Sequence, residues 1–275
     1  MSQRLRETFA QARETGRTLF VPYVTAGYPR REDTVEVLLA MESGGGDILE
    51  LGMPFTDPQA DGATIQHANH VAIQQGVYLE DCLAMVAQAR EQGLRAPVLL
   101  MGYYNPILAM GEERFVRLAR EAGADGFIIV DLPPEEASDF LSACREHDMS
   151  FVPLVAPTTA DERLAVIAEA ADAFLYCVSV TGTTGTRTEL PPGLGGFLGR
   201  VRKVTGLPLA LGFGISTRAH VEQASEVADA AIVGSAIIAA IDSGDVDGCA
   251  ERVRAYVAEV SGHEHAGRLR TGRDE

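Results

Sequence analysis

What this 275-residue chain has little of narrows the field first. Basic residues are outnumbered, 23 Lys and Arg against 39 Asp and Glu, for a formal net charge of -16. Nucleic acid and anionic membrane surfaces both require clustered cations, so neither is an expected partner. An anionic small molecule stays possible, because backbone N–H groups can hold a phosphate locally. The four cysteines, Cys82, Cys144, Cys177 and Cys249, are scattered without CxxC spacing. That argues against a disulfide framework or zinc site and for free thiols in a reducing cytosol. No apolar run approaches the ~20 residues of a membrane span, and the N-terminal MSQRLRETFAQARETGR reads as an amphipathic helix without the apolar core of a signal peptide. GxGxxG after the first strand, a Walker loop, HExxH and a Ser-His-Asp arrangement are all missing. The expectation is a soluble cytoplasmic globular protein.

What is present is one rhythm: a short apolar run, a Gly/Pro/Asp loop, then a stretch of helical period. With 46% hydrophobic residues a large core is available. Strands are expected at Thr18–Thr25, Asp47–Leu51, Pro97–Met101, Gly126–Val130, Ser150–Val155, Phe174–Val178, Leu207–Leu211 and Ala230–Val233. Helical stretches between them include Arg31–Ser43, Leu79–Gln92, Glu112–Glu121, Pro134–His147, Ala160–Ala170, Gly193–Val204 and Thr217–Ala224. Such alternation implies βαβ units and a parallel sheet. Eight units without a break in composition favour a (β/α)8 TIM barrel with an extra N-terminal helix, over an open doubly wound sheet. The barrel domain is expected to span 1–260, with 261–275 a flexible tail.

Within that rhythm the segment LELGMPFTDPQADGATIQ, from Leu49 to Gln66, carries the most information. Glu50 interrupts an apolar strand, where an unpaired charge is costly, and no Arg or Lys occurs between Arg31 and Arg90 to serve as a local partner. Buried acids with perturbed acidity cluster at active sites, and barrels keep those sites at the C-terminal ends of their strands. Asp61, on the following loop, is a second candidate acid or else a cap for the helix beginning near Ala63. Asp57 more simply shapes the loop. Late in the chain LGFGIS and VGSAII place Gly214, Gly234 and Ser235 in the loops after the last two strands, with a helix starting at once. Barrel enzymes often hold phosphate there, although ordinary turn glycines would read the same. Thr181–Arg187 suits a lid or a plain connection. Tyr103 could line a pocket, and Asp131 ends the fourth strand. His67 and His70 lack a local third ligand, so no metal is expected.

These stretches, with FVPYVTAGYP, MGYYNPI, VDLPPEE and VSVTGTTGTR in this order, resemble the tryptophan synthase alpha subunit family from about Thr18 to Ile241. The resemblance implies a (β/α)8 barrel that cleaves indole-3-glycerol phosphate to indole and D-glyceraldehyde 3-phosphate. It implies Glu50 and Asp61 as the catalytic acids, Tyr23, Tyr103 and Thr184 at pocket or lid positions, and Gly185, Gly214, Gly234 and Ser235 as the phosphate cradle. It implies no cofactor in this chain, with pyridoxal phosphate expected in a partner beta subunit of an alpha2beta2 complex, contacted through Pro54–Asp61 and the corner near Asp131. Two departures fall inside the signature, Gln59 for Leu or Ile and Ala63 for Pro. The lid reads VTGTTGTR in place of VTGVTGAR. A stand-alone lyase and a non-catalytic allosteric barrel are the competing readings.

Overall fold

The computed structural model describes residues 1–178, 193–212 and 214–262. Among the described residues nine strands form one parallel sheet: β1 Leu19–Thr25, β2 Leu49–Gly52, β3 Val98–Gly102, β4 Gly126–Ile129, β5 Ser150–Phe151, β6 Leu154–Val155, β7 Leu175–Val178, β8 Leu209–Gly212 and β9 Ala230–Val233. Their lateral order is β5-β4-β3-β2-β1-β9-β8-β7-β6. The two ends of that order are consecutive in the chain, so the sheet curls into a (β/α)8 barrel. The fifth barrel strand, expected as one run over Ser150–Val155, is split at Val152–Pro153. Proline has no N–H to donate to a ladder, and the chain changes partner there. Val152 donates to the Phe127 carbonyl on β4, and Tyr176 on β7 donates to the Pro153 carbonyl. The other expected strands fall within two residues of those observed.

Two expected helices are broken by short 3-10 turns, Arg31–Asp33 before Thr34–Ser43 and Pro134–Glu136 before Ser138–Glu146. Two more, Tyr104–Met110 and Cys249–Ser261, were not anticipated. The latter buries Ala250, Val253, Val257 and Val260 at helical spacing. Gly44 lies so close to the backbone of Arg254 that a Cβ there would come within 2.7 Å of the Arg254 carbonyl. Ser261 closes this helix and is buried, so the expected tail does not begin at residue 261. Residues 263–275 lie outside the described residues. No helix among the described residues is long and apolar enough to cross a membrane.

The extra N-terminal helix, Gln3–Thr15, lies across the floor of the barrel, at the strands' N-terminal ends. Leu5 is fully buried, and the Phe9 ring packs 5.5 Å from that of Phe174. Asp125, just before β4, ties this floor together. It accepts from Ser2 Oγ (2.6 Å), Arg4 (3.2 Å), Arg90 (2.9 Å) and the Val98 N–H (3.0 Å).

Candidate active site

At the upper end of the lumen the strand register puts Tyr23 of β1 and Leu99 of β3 beside Glu50. Residues two apart in a strand share a face, so Glu50 and Gly52 point the same way. A Cβ on Gly52 would collide with the Tyr23 hydroxyl, and one on Gly212 with the hydroxyl of Tyr176. Glycine at these two positions therefore makes room for two tyrosine rings in the lumen. The Tyr23 hydroxyl lies 3.1 Å from Thr25 Oγ1.

Glu50 is fully buried, and neither carboxyl oxygen has a hydrogen-bond partner among the described residues. Burial in this apolar surrounding disfavours the charged form and pushes its pKa from 4.5 up to about 8. Asp61 is only partly buried. Burial raises its pKa to about 6, and a hydrogen bond from Tyr103 pulls it back. Both acids act on the same neighbours: Tyr176 is held far above the ordinary phenol range by burial first, then by Glu50, Tyr23 and Asp61. A cavity lined by Tyr23, Met53, Asp61, Asn69, Met101 and Tyr103 opens beside Asp61, and its Tyr23 is the strand neighbour of Glu50.

The loop carrying Asp61 is fastened at several points. Asn69, buried on helix Ala63–Gln74, accepts the Phe55 N–H at 3.0 Å and donates to the Ile65 carbonyl. The Phe55 ring stacks on Tyr103 at 5.0 Å. The Tyr103 hydroxyl accepts the Ala60 N–H at 2.9 Å, and Gln66 donates to the Asp61 carbonyl. No side chain caps helix Ala63–Gln74, so Asp61 does not serve as its N-cap. Gln59 folds back onto Asp57 at 3.0 Å, which gives Asp57 the loop-shaping part expected of it.

Gly214 follows β8 with φ +86 and is exposed. Such a backbone strongly favours glycine. Gly234 is half-buried after β9 and leads into helix Ser235–Asp242, whose first residue is exposed. The first N–H groups of a helix have no intrahelical acceptor and favour an anion. Thr184 and Gly185, with the whole Thr181–Arg187 segment, lie outside the described residues.

Sequence reasoning missed Tyr176, whose setting in FLYCV reads as ordinary core, and Asn69, whose part depends on a contact 14 residues away. Asp131 accepts the Tyr104 N–H at 2.8 Å and so anchors the start of helix Tyr104–Met110. His67 packs edge-on to Tyr28 at 6.1 Å. Among the described residues no group of three His, Cys, Asp or Glu side chains could hold a metal ion.

Known proteins are similar to this chain along most of its length. The profile of a family described as tryptophan synthase alpha chain matches residues 9–267. The tryptophan synthase alpha chain of Roseiflexus sp. (strain RS-1) is 53% identical over 239 residues, covering 87% of this chain and 92% of that protein. A Saccharomyces cerevisiae protein named tryptophan synthase is 52% identical over 239 residues, which cover 86% of this chain but 34% of that protein's own length. A solved structure of Mycobacterium tuberculosis tryptophan synthase superposes with a TM-score of 0.87 at 35% identity, covering 95% of this chain and 98% of that one.

Proposed function

The chain belongs to the tryptophan synthase alpha chain family, and from that premise we propose that it cleaves indole-3-glycerol phosphate to indole and D-glyceraldehyde 3-phosphate, with Glu50 and Asp61 as the reacting acids. The observation that carries this reading is the separation of two carboxyl groups around one lumen, one with a pKa of about 8 and the other of about 6. Near neutral pH the first is largely protonated and the second largely ionised, the pattern that assigns an acid and an anion to different tasks.

Indole is a poor leaving group until C3 of its ring is protonated. Glu50 gives its proton to C3, and positive charge spreads to the ring nitrogen. Asp61, as carboxylate, accepts the ring N–H and stabilises that charge. The bond from C3 to the glycerol chain then breaks, and its electron pair returns to the ring. The glyceryl hydroxyl becomes the aldehyde carbonyl, and its proton goes to the Glu50 carboxylate, restoring the acid. Tyr23, Tyr103 and Thr184 line the pocket. Gly185, Gly214, Gly234 and Ser235 hold the phosphate, so binding at the far end of the substrate fixes the reacting bond against Glu50.

The partner is a beta subunit in an alpha2beta2 complex, met through the Pro54–Asp61 loop and the corner near Asp131. It receives the indole and holds the pyridoxal phosphate, and the complex is cytoplasmic. The test is steady-state indole release from indole-3-glycerol phosphate, with and without added beta subunit. Glu50→Gln should lose ~10²-fold or more in turnover while keeping its affinity for a phosphate ligand. Asp61→Asn should lose turnover on the order of 10²-fold, since the amide cannot counter the ring charge. Near-normal turnover in either variant removes that residue from the mechanism.

A further inference from the structure

Behind the loop that follows β8, one backbone residue is held from both sides. Ser216 donates its N–H to His220 Nδ1 at 3.3 Å, and its carbonyl accepts the Tyr256 hydroxyl at 2.8 Å. His220 lies on helix Arg218–Ser225 and is buried. Its own N–H is bonded to Thr217 Oγ1, the cap of that helix, at 3.2 Å. Tyr256 is half-buried on the last helix, Cys249–Ser261. Neither residue belongs to the lumen cavity, and neither is used by the chemistry above.

Loop N–H and carbonyl groups near a surface are ordinarily left to water. Here two side chains from two different helices take both polar groups of one residue, and that residue is two positions beyond the exposed Gly214. With Nδ1 accepting, the proton of the neutral imidazole is on Nε2, so the ring orientation and tautomer are fixed by the same bond. Ile215, between the two, is buried. The loop is thus clamped at Ser216, anchored at Ile215 and open at Gly214, the point aimed toward the ligand end of the barrel.

We propose that His220 and Tyr256 are positioning residues that brace the Gly214 loop from outside the barrel and so set its affinity for the substrate phosphate. The proposal rests on the reading of Gly214, Gly234 and Ser235 as the phosphate cradle. The brace acts on the anion end alone: releasing Ser216 leaves Glu50, Asp61 and the indole pocket as they are.

The experiment measures kcat and KM for indole-3-glycerol phosphate, competitive inhibition by inorganic phosphate, and binding of free indole as a phosphate-free probe. Tyr256→Phe removes one hydroxyl, and His220→Leu removes the acceptor while keeping apolar bulk. Each should raise KM and the phosphate inhibition constant about three- to tenfold, the effect of losing one hydrogen bond. Indole affinity and kcat should stay within about twofold, well inside that same effect. His220→Asn, which can present an amide oxygen near the Nδ1 position, should recover most of the loss. Equal losses of indole and phosphate affinity would mark general loosening of the fold and overturn the brace. Phosphate competition unchanged by the substitutions overturns the brace alone. No competition by phosphate in the unsubstituted protein overturns the cradle, and the brace with it.

Discussion

Asp125 on the barrel floor and Glu50 near its mouth are both fully buried, yet they are treated in opposite ways. Asp125 meets four donors, two of them guanidinium groups. Glu50 meets none among the described residues. A buried carboxylate with a full set of donors can stay ionised and join elements, here the N-terminal helix, β3 and the approach to β4. A buried carboxyl without donors must carry its proton instead. The same side-chain chemistry thus serves as a fastener at one end of the barrel and, in the proposed mechanism, as a proton source at the other. What separates the two is the supply of partners, not depth.

The comparison can be broken first at its upper end. Because the folded pKa of Glu50, about 8, lies above the value of 4.5 for a free carboxyl, the folded state holds a proton that the unfolded chain has released between those values. Its contribution to stability is therefore fully present below pH 4.5 and is lost as pH rises through about 8. Urea unfolding at a series of pH values should show the parent losing up to about 1.4 kcal/mol per pH unit relative to Glu50→Gln across that window. Parallel stability profiles would mean that Glu50 is ionised and partnered after all.

At the floor the comparison is broken by removing the charge of Asp125. Asp125→Asn leaves Arg90 facing a neutral amide and should cost about 3 kcal/mol at neutral pH, the scale of breaking a buried ion pair. Turnover per folded molecule should be preserved. A variant that unfolds normally but turns over slowly would reverse the roles assigned to the two ends. Gly52→Ala forces a methyl group against the Tyr23 hydroxyl and should cost about 1–3 kcal/mol by overpacking, with a higher KM as Tyr23 is displaced into the pocket. Tyr103→Phe is the mildest. It frees the Ala60 N–H and removes the hydrogen bond that lowers the Asp61 pKa, at about 1 kcal/mol. The acid limb of the pH–turnover profile should shift to higher pH, and an unmoved limb would detach Tyr103 from Asp61.

Much of this contrast could be read from the chain. Glu50 announces itself locally, as a carboxylate in an apolar strand with no cation from residue 32 to 89. The strand rhythm is equally local, because period and punctuation are properties of a few neighbouring residues. Asp125 was invisible by the same logic: its partners lie 121, 123, 35 and 27 residues away. Tyr176 stayed hidden because its facing is settled only when Gly212, on the neighbouring strand, leaves space for its hydroxyl. The helix Tyr104–Met110 follows so closely on β3 that its apolar residues merge with the strand's, and the cap that starts it comes from Asp131 on another loop. Pro153 was in plain view, but a single proline does not say whether a strand ends, bends or changes partner.

That change of partner has a mechanical consequence. Within the described strands, residues 150–152 bond toward β4 and residues 153–155 toward β7, so the ring is stitched at this point by very short ladders on either side of a proline. The seam divides the wall into two arcs that share β1 on the opposite side. One arc bears Glu50, and the other leads into Gly214 and Gly234. A cylinder stitched in this way springs at its seam before it tears elsewhere. Amide hydrogens around Ser150–Val155 should accordingly exchange with solvent ahead of those in β1, and each such excursion would draw Glu50 away from Gly214 and Gly234 while both arcs stay folded.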